Sequence, residues 1–262
     1  MKIIAFLSDF GLKDGYVAQM KAVASTITDA RFIDITHEIA PHNVREGAFI
    51  LRSVAPYFPP GTVIVAVVDP GVGTIRKGLV ITTKNHVLIG PDNGLLMPTA
   101  HSLDDFVVYE ITNERLMNKP VSSTFHGRDI FAPVAAHITN GVPFAEIGPR
   151  INDFVDFTLE TGYMKDGSLT GKVVYIDRFG NIITNISSQL MSQYFQYEKM
   201  IRISVAGHDE KVLFTSSYGF VSKGSLLATI GSTGFLELAV YQGSAARELN
   251  LKEDDVFQIY LD

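Results

Sequence analysis

The chain has 262 residues, 46% hydrophobic and 19% charged, with a formal net charge of −6 and no cysteine. That balance suits one large folded domain or two modest ones and carries no disorder signature. It argues against a nucleic-acid partner, which needs clustered Lys and Arg, and excludes disulfides, thiolate catalysis and Cys-based metal sites. A small anionic or zwitterionic ligand remains compatible with it.

Residues 1–7 form too short an apolar run for a secretory signal, and Asp9 follows at once. Residues 3–7 read as a buried strand and 16–28 as a helix with Val17, Met20 and Val23 on one face. Residues 32–35 make a second strand. Residues 44–54 have helical spacing through Ala48, Leu51 and Val54, and stop before Pro56 and the Pro59-Pro60-Gly61 turn. Residues 63–68 are continuous and largely β-branched, as in a central strand covered on both faces. That run is far below the ~20 residues needed to span a bilayer, so no membrane partner is expected and a cytoplasmic location is the default. A hairpin follows at 79–83 and 87–89, then a strand at 106–109 and a helix at 130–139 with Pro133 in its first turn. These alternating elements predict a layered α/β domain over residues 1–164.

After Asp166-Gly167 the pattern changes to short strands between polar turns, at 171–177, 182–186, 200–205, 226–230, 236–240 and 256–261. Ile201, Ile203 and Val205 alternate with Arg202 and Ser204, the period of a half-buried strand. No long amphipathic helix is visible. Residues 165–262 therefore read as a small C-terminal all-β barrel or sandwich domain.

Four polar stretches fall at strand ends: Ser8-Asp9-Phe10-Gly11 with Asp14, Asp69 to Arg76, Phe125 to Asp129, and Asp177 to Asn181. A carboxylate just past a buried strand sits where open α/β sheets bind ligands, although Asp and Gly are also common in plain turns. Asp9 at such a position can accept two hydrogen bonds from a ribose diol. Asp14 fits the N-cap of the following helix. The glycines after Asp69 have the wrong spacing for a dinucleotide or phosphate loop, and let the backbone turn so that Asp69 and Arg76 converge. His37 and His42 flank Glu38, but Pro41 breaks the helical face a zinc pair would need. A mixed metal site from Asp69 and His126 is the minor alternative to none.

Together with Pro91-Asp92-Asn93-Gly94, Thr184-Asn185, Gly231-Ser232-Thr233-Gly234 and Leu236-Glu237-Leu238-Ala239, these stretches resemble the S-adenosyl-L-methionine hydroxide adenosyltransferases. Those are hydrolases related to the fluorinase and chlorinase enzymes. The resemblance runs in order over nearly the whole chain. It implies an α/β domain, a C-terminal β-barrel and a homotrimer with ligand held between neighbouring subunits. Carried over by motif, Asp9 and Asp14 fall in the substrate-binding set, with Asp9 on the ribose. Asp177 and Ser232 would hold the methionine amino-acid group, and Asn181 the adenine edge. Phe179 would pack nearby, Tyr218 would cover the base, and backbone from Val240 to Gln242 would complete the pocket. The plainer readings are core for Phe179 and Tyr218, and a turn for Asp177. Asp69, Arg76 and His126 would mark the water-using branch. His42 departs from the fluorinases, which have tryptophan there.

The resemblance implies cleavage of S-adenosyl-L-methionine to adenosine and methionine by water at C5′ of the ribose. The sulfonium already makes methionine a good leaving group, so no metal or redox cofactor is expected. Asp69 would accept the proton while Arg76 and His126 orient it, or the trio would bind hydroxide directly. A non-catalytic sensor of the same ligand and a methyltransferase are the competing classes.

Overall fold

The computed structural model describes residues 2–205 and 207–261, and the chain divides into two compact units, Met1–Leu159 and Glu160–Asp262. In the first unit the order is β1 (Ile3–Ser8), α1 (Tyr16–Ser25), β2 (Arg31–Thr36), α2 (Val44–Val54), β3 (Val63–Val67), β4 (Gly78–Thr83), β5 (Val87–Pro91), α3 (Met97–Ser102), β6 (Phe106–Glu110) and α4 (Ala132–Thr139). The six strands form one sheet in the order β2-β1-β3-β5-β4-β6. β1 is parallel to β2 and β3, β3 is parallel to β5, and β4 runs antiparallel to β5 and β6.

Every residue of β1 and β3 is buried, because both faces of the sheet are covered. Ile4, Phe6, Val63, Val65 and Val67 pack toward α1 and α4, while Ala5, Leu7, Ile64 and Ala66 pack toward α2 and α3. Alternate side chains thus feed two separate cores, which is why these strands read as unbroken apolar runs.

The helices depart from expectation in identifiable ways. α1 ends at Ser25, where the Thr26 hydroxyl donates to the Val23 carbonyl and the Ile27 and Thr28 amides both turn back to Ala24. Its buried face is Val17, Met20 and Ala24, with Val23 only half-buried. The cap position belongs to Gly15 and no side chain caps the helix, so the N-cap role expected of Asp14 is wrong. α2 matches, and its cap is Asn43, whose side chain accepts the Glu46 N–H at 3.1 Å. The helix expected from residue 130 is entered through a turn of π-helix, Gly127–Phe131, and Pro133 lies in the first turn of α4.

The second unit contains β7 (Tyr163–Lys165), β8 (Ser168–Ile176), β9 (Ile182–Ser187), α5 (Ser188–Ser192), β10 (Lys199–Val205), β11 (His208–Phe214), β12 (Leu226–Ile230), β13 (Phe235–Val240), α6 (Ala245–Glu248) and β14 (Val256–Tyr260). Seven strands close in the order β14-β10-β11-β12-β13-β9-β8, because β14 also pairs with β8, and β7 adds a short ribbon beside β8. This is a closed barrel, not a sandwich, and closure removes the exposed sheet edges. Ile201, Ile203 and Val205 point into its core while Arg202 lies outside over the Tyr260 ring.

Candidate active site

The chain leaves β1, forms β2 on one side of it, and returns past it to form β3 on the other. The carboxyl ends of β1 and β3 therefore flank the switch point where doubly wound sheets open a crevice. Asp9 directly follows β1 and Asp69 lies two residues beyond β3. A cavity of about 280 Å³ opens there, lined by Asp9, Tyr16, His42, Asp69, Phe125 and His126 among others.

The Asp69 carboxylate is gripped by Arg76, whose Nε donates to both oxygens at 3.0 and 3.1 Å and whose Nη2 also contacts Oδ2. Both side chains are largely buried, at 5% and 11% exposure. The same Nη2 donates to His126 Nδ1 at 2.7 Å, so the three residues form one connected cluster. The loop between Asp69 and Arg76 reaches this shape through Gly73, which has a φ of +76° and lies where a Cβ would strike the Ser123 carbonyl. Burial, then the Arg76 charge, pushes His126 below its ordinary value, with Asp69 and Asp129 opposing. A neutral imidazole whose Nδ1 accepts from Arg76 carries its proton on Nε2.

His126 opens the π-turn, and that turn is fastened by Asp129. This fully buried carboxylate accepts from Arg128 Nε and Nη2 at 2.7 and 2.8 Å, from Asn118 Nδ2 at 2.8 Å and from the Ser122 amide at 2.9 Å. Burial alone would raise Asp129, but Arg128, Asn118 and Ser122 outweigh it and hold it below the usual range. Gly127 sits against Met20, Phe10 and Phe125, where a Cβ would need these side chains to give way. Phe10, Tyr16 and Phe125 pack edge-on or tilted within 5.2–5.8 Å and build the apolar wall of the cavity.

Asp9 uses one oxygen to accept the His42 amide at 2.9 Å, and no hydrogen bond reaches its other oxygen among the described residues. His42 itself has a φ of +67°, a strained setting for a non-glycine residue at a cavity rim. From Ser8, the residue before Asp9, runs a chain of contacts that the sequence did not reveal, buried at Ser8 and His37 and reaching the surface at Asp34 and Lys21. Ser8 Oγ meets His37 Nδ1 at 2.7 Å, His37 Nε2 meets Asp34 at 3.0 Å, and Lys21 pairs with Asp34 at 2.6 Å. The Gly11 amide also donates to the His37 carbonyl at 2.7 Å, so the turn carrying Asp9 is pinned at two points. Asp14 is exposed and does not line the cavity.

The barrel unit has its own cavity, of about 490 Å³. All six residues expected from this half of the chain line it: Asp177, Phe179, Asn181, Tyr218, Ser232 and Val240. Phe179 and Tyr218 are 77% and 40% exposed, so neither is a core residue. Asp177 does hold its turn, accepting from the Phe179 and Asn181 amides at 2.8 and 2.9 Å and from Asn181 Nδ2 at 2.9 Å. It is a turn residue and a cavity residue at once. The Tyr218 hydroxyl donates to Glu237 at 2.6 Å, a partner not anticipated. Among the described residues no group of three or more His, Asp or Glu side chains is arranged to hold a metal ion.

A doubly wound α/β unit with a polar cluster at its switch point, followed by a closed barrel with its own polar cavity, defines a two-unit protein built to hold small molecules. Residues 4–148 match the SAM hydroxide adenosyltransferase N-terminal domain and residues 171–258 its C-terminal domain, and the chain belongs to that family. It is 40% identical to the (R)-S-adenosyl-L-methionine hydrolase of Methanocaldococcus jannaschii, over 99% of this chain and 96% of the relative. Similarity at 30% identity extends to the fluorinase of Actinopolyspora mzabensis, over 96% of this chain and 94% of the relative. The solved structure of an uncharacterized conserved protein from Thermotoga maritima matches with a TM-score of 0.94 and 39% identity, covering 98% of this chain and 99% of that one.

Proposed function

We propose that the protein hydrolyses S-adenosyl-L-methionine to adenosine and L-methionine, with Asp69, Arg76 and His126 acting on the attacking water. The observation that carries this reading is the connected Asp69–Arg76–His126 cluster beside Asp9 in a cavity at the switch point. Water attacks C5′ of the ribose in line with the C5′–S bond; as that bond breaks, sulfur takes its electron pair and methionine leaves neutral. Holding one water in line contributes several kcal/mol by restricting geometry.

The proton of that water goes to Asp69, which retains accepting lone pairs beyond those used by Arg76. Direct capture of hydroxide is less well supported. Its attraction would come from Arg76 and a cationic His126, but Arg76 is already matched by Asp69 and His126 is held neutral. Asp9 binds the ribose hydroxyls through its uncommitted oxygen. In the barrel cavity Tyr218 covers the adenine, Asn181 and the backbone from Val240 to Gln242 meet its edge, Phe179 packs beside it, and Asp177 and Ser232 take the amino-acid group. Asp14 stays in the proposed binding set, although it lines neither cavity within one chain.

The composite site joins the α/β cavity of one subunit to the barrel cavity of a neighbour in a homotrimer. The α/β cavity, just under the ~300 Å³ at which pockets usually begin to enclose a drug-sized ligand, supports a shared site. The hydrolase relative is named for the R sulfonium epimer, and the same epimer is the proposed substrate here. Incubation with each epimer in heavy-oxygen water, chelator present, tests this. Adenosine labelled at its 5′-hydroxyl is expected from the R epimer; label in methionine, or strict dependence on added metal, would contradict the mechanism.

A further inference from the structure

Glu237 has no role in the reaction as described so far, yet it is a carboxylate at 5% exposure on the wall of the barrel cavity. One oxygen accepts the Tyr218 hydroxyl at 2.6 Å. The other lies against Gly231, next to Ser232, at a spot that a Cβ on residue 231 would occupy, and it receives no hydrogen bond among the described residues. Asp177 lines the same cavity but commits its carboxylate to three bonds within its own turn. Among the described residues no lysine or arginine lines this cavity. A buried carboxylate without a cation is costly to keep ionised, and an arriving cation relieves that cost.

We infer that Glu237 is a further specificity-determining residue, receiving the α-ammonium group of the methionine moiety beside Ser232. The inference rests on the functional reading above. Burial pushes the Glu237 carboxyl up, opposed by the Tyr218 hydrogen bond and reinforced by the Asp177 charge, the condition of an acid that lacks a counter-ion. Its position also separates two tasks. The Tyr218 hydroxyl holds one oxygen, which fixes the ring, and the second oxygen remains for the ligand.

Glu237→Gln tests this, because the amide oxygen still accepts from Tyr218 while the charge is gone. Binding of two ligands is compared by calorimetry: S-adenosyl-L-homocysteine, which has the ammonium but no sulfonium, and 5′-methylthioadenosine, which has neither. The variant should bind the first about tenfold more weakly or worse, the loss expected for a charged hydrogen bond, and the second within about twofold of wild type. Tyr218→Phe keeps the carboxylate and should preserve the wild-type ratio of the two affinities. Because the readout is a ratio, a general loss of folded protein cancels. If Glu237→Gln weakens both ligands equally, or neither, the assignment is overturned. A ratio that behaves as expected in a protein that does not hydrolyse S-adenosyl-L-methionine would overturn the functional reading alone.

Discussion

Replacing Asp69 with Asn separates chemistry from binding most sharply. Asp69 sits at 5% exposure and receives Arg76 Nε on both oxygens at 3.0 and 3.1 Å, with Nη2 on Oδ2 as well. Asparagine keeps the shape and one accepting oxygen, but its amide group cannot take a proton from water. Losing a positioned general base lowers turnover roughly a hundred- to ten-thousandfold, or about 3–6 kcal/mol of activation barrier at ~1.4 kcal/mol per tenfold. Affinity should stay within a few-fold, because Asp9 is held by the His42 amide and shares no hydrogen bond with Asp69. The folded state should lose about 1.5–3 kcal/mol, one charged hydrogen bond to Arg76. Asp9→Ala should do the opposite, weakening ligand binding roughly ten- to a hundredfold. Single-turnover rates beside calorimetric affinities measure both. If Asp69→Asn binds poorly yet turns over normally at saturation, Asp69 is a binding residue and the mechanism is wrong.

Three further outcomes follow from the structure. Asp129→Ala leaves Arg128 and Asn118 facing an empty buried site and should cost about 3–5 kcal/mol by urea titration, with turnover lost as His126 is released; an unchanged midpoint would show that the π-turn does not depend on it. His86, His126 and His137 are each held below the ordinary value of 6.5, chiefly by burial, so the unfolded chain binds more protons as pH falls. Their contribution to stability is complete above about pH 6.5 and drains as pH drops toward the folded values, and urea midpoints equal at pH 7 and pH 5 would contradict this. Asp9→Ala and Asn181→Ala, each impaired alone at substrate below saturation, should regain activity there when co-refolded, with about a quarter of composite sites intact under random mixing; a fully active monomer would remove the shared site.

Much of the α/β unit was legible because its strands and longest helix obey a single period. β1 and β3 are buried at every position and apolar at all but Ser8, and α2 spans the expected residues because Asn43 caps it and Pro56 follows its end. What stayed hidden lacked a period to show. α3 is six residues long, under two helical turns, and β7 only three. β11 begins His208-Asp209-Glu210-Lys211, a polar run that reads as a loop until β10 pairs with it residue by residue. The π-turn at Gly127–Phe131 leaves no mark in a hydrophobic pattern, since its register depends on Asp129 and its partners.

The site divides along the same line. Polar residues within glycine-containing turns stood out: Asp9, Asp69, Arg76, Asp177 and Asn181 do lie at strand ends, whereas the stretch 125–129 expected at one adjoins no strand, and His126 instead opens the π-turn. Their supporting partners did not, because they are joined only by the fold. His37 lies 29 residues from Ser8, and Glu237 lies 19 from Tyr218. Glu237 also hides within its strand. In Leu236-Glu237-Leu238 the alternation assigns it to the outer, solvated face of a barrel strand. That face is covered at this point, by Tyr218 on one side and the Gly231-Ser232 turn on the other. An acid that alternation would send to water is thereby kept in a cavity with one oxygen fixed and one open. Local pattern can thus locate the polar turn residues that line the cavities, whereas a buried charge such as Glu237 depends on which distant turns fold over it.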